Sequence, residues 1–153
     1  MTRARKLVVG SLVALMLAAA GVAAYAQVKR PYRNGSVWTI AFIRMKPGME
    51  TAYLTYLAND WKKEQEAMKK AGIILSYKII GTEPHSPTDW NLMLMTEYKD
   101  LASLEASEQK AEALATEMFG GDEKIQQGYR ERLEIREVMG DRLAREVVLE
   151  PRP

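Results

Sequence analysis

The sequence predicts an α+β domain whose elements follow in the order β-α-β-β-α-(α)-β. Four segments rich in β-branched, aromatic or other large apolar residues predict strands, at residues 36–45, 73–80, 90–98 and 142–149. Segments with apolar residues at a spacing of about 3.6 predict helices after the first and the third strand. Glycine, proline and aspartate mark the junctions between these segments.

The first helix is predicted from about Met49 to Ala71. Lys46-Pro47-Gly48 ends the first strand, and Gly72 is a suitable residue for the C-terminal cap. The apolar face of this helix holds Met49, Tyr53, Leu54, Leu57, Trp61 and Met68.

A second helix is predicted from about Leu101 to Phe119, capped by Asp100 and ended by Gly120-Gly121. A further helical stretch starts at Asp122, with its apolar side formed by Ile125, Tyr129 and Leu133. Gly140-Asp141 is predicted to turn the chain into the last strand.

This order of elements predicts a ferredoxin-like fold, in which a four-stranded antiparallel sheet carries its helices on one face. The first and third strands are predicted to lie in the centre and to be apolar on both faces. On the first strand, Val37, Ala41, Ile43 and Met45 point one way and Trp38, Ile40 and Phe42 the other. On the third strand, Trp90, Leu92 and Leu94 face one side and Met93 and Met95 the other. Because monomers rarely expose a large apolar patch, we expect a second copy of the chain to cover the free face.

The N-terminal residues 1–26 are typical of a secretory signal peptide, with a basic start, an apolar run and a small-residue end at Ala26. The alternative is a retained membrane anchor, because the run is just long enough to span a bilayer.

The chain has 22 Lys and Arg against 20 Asp and Glu. Three basic and no acidic residues lie in the leader, which leaves 19 basic and 20 acidic residues and no case for nucleic-acid binding. The chain contains no cysteine, so disulfides are excluded.

The remaining chain is interpreted as a linker at 27–35 followed by one domain at 36–150. The element order, the passage from the first strand into Lys46-Pro47-Gly48-Met49, and a helix closing on Ala71-Gly72 resemble the dimeric α/β-barrel superfamily. That group includes NIPSNAP-type proteins, antibiotic-biosynthesis monooxygenases and stress-responsive barrel proteins. The resemblance implies a homodimer whose two sheets face each other and a pocket between sheet and helices. Fold alone does not fix function.

Two residues are candidates for catalysis. His85 is the only histidine and lies in a proline-rich loop, where a solvated role is the alternative to a haem ligand or general base. At 100° per residue, Glu64 falls near the middle of the apolar face of the first helix, so it must be paired, reach an opening or titrate upward. Its alternative role is a structural ion pair with Arg44 or a C-terminal arginine. A single histidine and no cysteine exclude a His/Cys metal site within one chain.

Four residues are candidates for contacts to a small apolar ligand: Trp61, Tyr77, Trp90 and Asn91. Packing in the core and the interface is the alternative role of their aromatic rings. The resemblance implies that haem-degrading relatives use an Asn of the first strand and a Trp and a His of the second helix, and this chain has none of these at 36–45 or 101–119.

We therefore expect an exported homodimer, periplasmic or secreted, without a cofactor or a metal, that binds a small apolar molecule. The alternative is a cofactor-independent monooxygenase-like enzyme acting on a small aromatic or apolar substrate. A membrane is expected as a partner only if the leader is retained.

Overall fold

The computed structural model describes residues 30–150, so the predicted leader at 1–26 lies outside the described residues. Four strands and a set of helices follow the predicted order. The strands are β1 (Tyr32–Met45), β2 (Ser76–Gly81), β3 (Leu92–Tyr98) and β4 (Arg136–Leu149). The helices are α1 (Glu50–Tyr56), a π-helical turn (Leu57–Trp61), α2 (Lys62–Lys70), α3 (Leu101–Phe119) and α4 (Asp122–Ile135).

The chain divides into two compact units, and the larger one, Asn34–Val148, contains the helices and nearly all of the sheet. In the described part of the smaller unit, residues 30–33 and 149–150, the backbone N–H of Glu150 donates to the Pro31 carbonyl at 2.8 Å. The predicted linker at 27–35 was too long, because β1 begins at Tyr32 rather than Ser36.

The sheet has the strand order β2-β3-β1-β4, which confirms that the first and third strands are central and the other two lie at the edges. β3 runs antiparallel to both β1 and β2, with Ile40 opposite Met95 and Tyr77 opposite Thr96. The backbone N–H of Lys46 donates to the Ile135 carbonyl at 3.1 Å where β1 ends and β4 begins. This α+β arrangement is the ferredoxin-like fold that the order of elements predicts.

The first helix runs from residue 50 to residue 70 without a non-helical residue, and its middle turn, Leu57–Trp61, is π-helical rather than α-helical. In a regular α-helix, residues four apart drift by about 40° around the axis. The wider π turn takes up this drift, so Tyr53, Leu57, Trp61, Gln65 and Met68 are all buried. Gln65, only 4% exposed, holds the central place that the regular spacing predicted for Glu64.

The two glycine-based predictions near α3 and β4 differ in their outcome: the helix end at Gly120 is confirmed and the turn at Gly140 is not. Asp100 caps α3 by accepting from the Ser103 N–H at 2.7 Å, and Gly120 ends the helix with φ of 81°, both as predicted. The turn predicted at Gly140-Asp141 was wrong, because β4 runs through it from Arg136. Gly140 adopts φ of 150°, a conformation that glycine tolerates, so the strand continues without turning.

The main core lies between the sheet and the first helix. Its buried residues are Ile43, Tyr53, Leu57, Trp61 and Leu92. A second cluster of Met68, Ile73 and Ile74 precedes β2, which begins at Ser76 rather than Ile73. Thr96 donates to the Gln65 side-chain oxygen at 3.1 Å, which satisfies the buried polar groups between β3 and the helix.

The opposite face of the sheet carries no helix and remains strongly apolar. We call this the open face; its apolar residues are Trp38, Ile40, Phe42, Met93 and Met95, joined by Met139 and Leu143 of β4, and the same alternation places Lys78, Glu97 and Asp141 on it. Leu143 is 58% exposed. Trp90 belongs here rather than with Leu92 and Leu94 as predicted. It precedes β3 and packs edge-on against Phe42, with ring centres 4.9 Å apart.

Candidate functional site

A cavity of about 410 Å³ lies between the first helix and the pair α3 and α4. Its apolar wall consists of Ala115, Phe119, Ile125 and Ile135. Its polar wall consists of Tyr56, Asp60, Glu64, Lys124, Gly128, Glu131 and Arg132. An apolar space with a few converging charged groups is the usual form of a small-molecule site.

Glu64 lies half-buried on the wall of this cavity. Burial raises the pKa of its carboxyl, and the positive charge of Arg132 opposes that shift. Among the described residues, no basic side chain lies within the 4.0 Å of an ion pair with Glu64. The pairing alternative with Arg44 was wrong, because Arg44 pairs with Glu137.

Arg132 faces Glu64 across the same cavity from α4. Its guanidinium carbon lies 4.8 Å from the ring centre of Tyr56 and 5.8 Å from that of Tyr129, distances typical of cation–π contacts. A Cβ at Gly128 would lie only 3.2 Å from Arg132 Nη1. The glycine therefore leaves the room that the guanidinium occupies, although glycine inside a helix costs about 1 kcal/mol relative to alanine.

Arg136 follows the end of α4 as the first residue of β4 and is only 7% exposed. Its guanidinium carbon lies 5.5 Å from the ring centre of Tyr53 and 5.8 Å from that of Tyr129. Within the described residues, its Nε and Nη1 are buried without a hydrogen-bond partner. Since Tyr53 and Tyr56 stack at 5.9 Å, the two arginines and three tyrosines form one cluster, which we call the Arg–Tyr cluster.

The six residues predicted for the site lie in separate places. His85 is exposed in the loop after β2, and its backbone N–H donates to Asp89 at 3.3 Å. Trp61 and Tyr77 pack edge-on in the core with ring centres 5.4 Å apart, and Tyr77 donates to Glu66 at 2.5 Å. Trp90 lies on the open face, and Asn91 Oδ1 accepts from the Met45 N–H at 2.9 Å. Of the six, Glu64 alone lines the cavity.

Arg132, Arg136 and the contacts of their tyrosine partners were not predicted from the sequence. A partial signal exists, because Gly128 and Arg132 lie four residues apart in α4 and therefore share one helix face, whereas Arg136 is the first residue of β4. A glycine inside a helix often has a packing or functional reason, and here it lies directly under the guanidinium.

Tyr53 makes the stability of the protein sensitive to alkaline pH. Burial raises its pKa to about 12, and the charge of Arg136 opposes that shift. A raised folded-state pKa means that stability is fully present below the ordinary value near 10 and is lost as the pH rises toward 12. We expect the free energy of unfolding, measured in urea, to fall by roughly 1–2 kcal/mol between pH 9 and 11. Tyr53→Phe is expected to remove this dependence of the free energy of unfolding on pH. Tyr32→Phe serves as the matched control. The same pH dependence in Tyr53→Phe as in the wild type would contradict the assignment.

Two further classes of site are not found in the described part of the chain. Residues 30–150 contain no group of three or more His, Cys, Asp or Glu side chains arranged to hold a metal ion. No helix within these residues has both the length and the apolar character needed to cross a membrane.

The chain was compared with known proteins. No protein-family model matches it, and no curated protein matches it. It is similar to a solved NIPSNAP family protein of unknown function from Agrobacterium tumefaciens, with 13% identity, a TM-score of 0.48, and coverage of 78% of this chain and 93% of that one. It is also similar to a dimeric ferredoxin-like protein from an uncultured marine organism, with 20% identity, a TM-score of 0.40, and coverage of 78% and 98%. The likeness to a NIPSNAP-type and a ferredoxin-like protein is one of fold.

Proposed function

We propose that this protein is an exported homodimer that binds a small, mainly apolar molecule in the cavity between the first helix and α3 and α4. The observation that carries the proposal is the cavity itself, an apolar space of about 410 Å³ into which half-buried polar groups point. That volume falls within the range of about 300–1,000 Å³ that is usual for ligand sites.

The polar groups of the cavity support binding rather than simple packing. Glu64 and Arg132 lie half-buried on its wall and are not joined in an ion pair. Each therefore keeps hydrogen-bonding capacity that a ligand can satisfy. The π-helical turn adds support, because it places Glu64 beside the cavity and because such turns are frequent at functional sites.

The open face supports the homodimer. Seven large apolar side chains lie on three adjacent strands without a covering layer in the described chain, and the central ones remain only partly exposed. The neighbouring edge strand contributes Lys78, whose Nζ lies 4.9 Å from the ring centre of Trp38. A second copy of the same face is the simplest partner, since it matches the patch in size and apolar character.

Export is the third element of the proposal, and it rests on the composition of residues 1–26. Mass spectrometry of the protein recovered from the exported fraction checks it. We expect the mass of the chain that begins at Gln27. The full mass of the chain from Met1 would contradict cleavage.

Binding in the cavity is tested with the neutral fluorescent probe N-phenylnaphthylamine. We expect the probe to bind the wild-type protein, and Ala115→Phe to weaken binding by about tenfold or more, because the new ring fills the cavity. Ala113→Phe is the matched control, since Ala113 lies on the same helix but is exposed and outside the cavity lining.

Three results are informative in this experiment. Loss of binding in Ala115→Phe with retention in Ala113→Phe supports the cavity as the site. Equal binding by both variants, each folded by circular dichroism, would contradict the proposal. Failure of the wild-type protein to bind the probe at all would also contradict it.

A further inference from the structure

We infer that the natural ligand carries a carboxylate on its apolar body and that Arg132 binds this carboxylate. This inference rests on the proposed function, because it assigns the chemical class of the molecule bound in the cavity. Three observations support it: the half-buried and buried charges in and behind the cavity, the geometry around Arg132, and the buried nitrogens of Arg136.

The inner part of the cavity region carries surplus positive charge. Asp60, Lys124 and Glu131 are exposed, so water and salt screen them. The half-buried charges on the lining are one guanidinium, Arg132, and one carboxylate, Glu64, and the buried guanidinium of Arg136 behind the lining makes their sum positive. A bound anion would balance that surplus, and such balance is needed because buried unpaired charge is costly.

Arg132 is shaped to receive the anion. Its guanidinium carbon lies 4.8 Å from the ring centre of Tyr56, and its Nη1 lies beside Gly128, where a Cβ would approach it to 3.2 Å, so neighbouring groups restrict its planar fork on two sides. Among the described residues, no carboxylate lies within ion-pair distance of it. A fixed, uncommitted guanidinium on a cavity wall is suited to a bidentate bond with a carboxylate.

Arg136 supplies the second, independent observation. It is more than nine-tenths buried, and two of its nitrogens lack partners in the described chain. It shares Tyr129 with Arg132, each guanidinium carbon lying 5.8 Å from that ring centre. Arg136 does not line the cavity, so its role is that of a positioning residue that adds positive potential behind Arg132.

A carboxylate fits the site better than a phosphate. A phosphate group carries up to two negative charges, and these would face Glu64 together with Asp60 and Glu131 on the same cavity wall. A single carboxylate charge faces the same acidic groups with at most half the charge of a phosphate, so its repulsion is smaller while it still pairs with Arg132. The apolar wall of Ala115, Phe119, Ile125 and Ile135 then holds the hydrocarbon part of the ligand.

A pair of probes that differ only by a charged group tests this. N-phenylnaphthylamine is neutral, and anilinonaphthalene sulfonate has the same rings with one negative charge. We expect Arg132→Gln to weaken binding of the sulfonate by about tenfold to a hundredfold and to leave the neutral probe within about twofold. Arg130→Gln is the matched control, because Arg130 lies on the same helix and is exposed. Equal effects of Arg132→Gln on the two probes would overturn the inference.

Displacement of the sulfonate probe identifies the head group. We expect octanoate to displace it at lower concentration than octyl phosphate, and octanol to be the weakest of the three. Octanol as effective as octanoate would overturn the role of the charge, and octyl phosphate as the best competitor would overturn the carboxylate assignment. A protein that binds the neutral probe in an Ala115-dependent way without any preference for anions retains its proposed function and loses this inference alone.

Discussion

Replacing Ile40 by glutamate is expected to convert the proposed homodimer into monomers. Ile40 lies at the centre of the open face, on central strand β1 and opposite Met95 of β3. In a dimer formed by this face, the two-fold axis would bring a glutamate from each copy into an apolar interface. Two like charges would then be buried together in an apolar interface, which is unfavourable even though Lys78 of β2 reaches the same face.

The expected loss is about 3–5 kcal/mol, which raises the dimer dissociation constant by a factor of hundreds to thousands. Sedimentation equilibrium and native mass spectrometry over a series of concentrations measure it. Leu143→Glu is a second variant on the same face. Its side chain is 58% exposed in the single chain, so the charge does not disturb the fold of one copy.

Leu54→Glu is the matched control, because Leu54 is an apolar residue that is 45% exposed and lies on the first helix, away from the open face. We expect it to leave the dissociation constant unchanged. Dimers that persist in both Ile40→Glu and Leu143→Glu, with circular dichroism like that of the wild type, would contradict dimerisation through the open face. A wild-type monomer would contradict it more directly.

The element order follows from local signals, and for that reason the sequence predicts it well. Asp100, Gly120 and the apolar spacing of residues 101–119 lead to α3 with the bounds that the structure has. The errors arise where a longer-range effect determines the backbone. β4 continues through Gly140 because pairing with β1 along its length stabilises an extended chain, and local turn propensity cannot reveal that pairing.

At the candidate site, too, local sequence signals predict part of the arrangement and long-range packing determines the rest. Spacing at 100° per residue identifies Glu64 as unusual, but it assumes a regular helix, and the π turn moves Glu64 to the cavity wall while Gln65 takes the buried place. The partner of Glu64 in the cavity lies 68 positions later in the sequence, at Arg132. Single-sequence patterns describe faces of one element, so they do not show which faces of two helices enclose a space.

The aromatic residues show why residue type alone was a poor guide. Trp61, Tyr77 and Trp90 are large rings that were assigned to one ligand site, yet two pack in the core and the third lies on the open face. Tyr53, Tyr56 and Tyr129 are the rings that contact guanidinium groups, and of these Tyr56 lines the cavity. Their distinguishing property is the arginine opposite each ring, and that property depends on tertiary packing.

Arg136→Met is expected to make the unliganded protein more stable. The guanidinium is 7% exposed, and its Nε and Nη1 are buried without partners in the described chain. A buried unsatisfied donor costs about 1–3 kcal/mol, and more when it is charged. The cation–π contacts with Tyr53 and Tyr129, at about 0.5–2 kcal/mol each, offset only part of the cost of burying these charged donors.

Methionine is the appropriate replacement because its unbranched side chain fills the same space and its sulfur packs favourably against aromatic rings. We expect the free energy of unfolding, measured in urea at pH 7, to rise by about 1–3 kcal/mol. Arg130→Met, at an exposed position of α4, is expected to change it by less than about 0.5 kcal/mol. A loss of stability in Arg136→Met would mean that the guanidinium is better satisfied than the geometry shows.

The same variant connects stability with binding. If Arg136 is kept because its charge supports Arg132, Arg136→Met should bind anilinonaphthalene sulfonate several-fold more weakly while N-phenylnaphthylamine binds as before. A gain in stability together with a loss of anion binding is the pattern expected of a residue whose burial serves function. A gain in stability with unchanged binding of both probes would instead separate Arg136 from the site and leave Arg132 to hold the carboxylate alone.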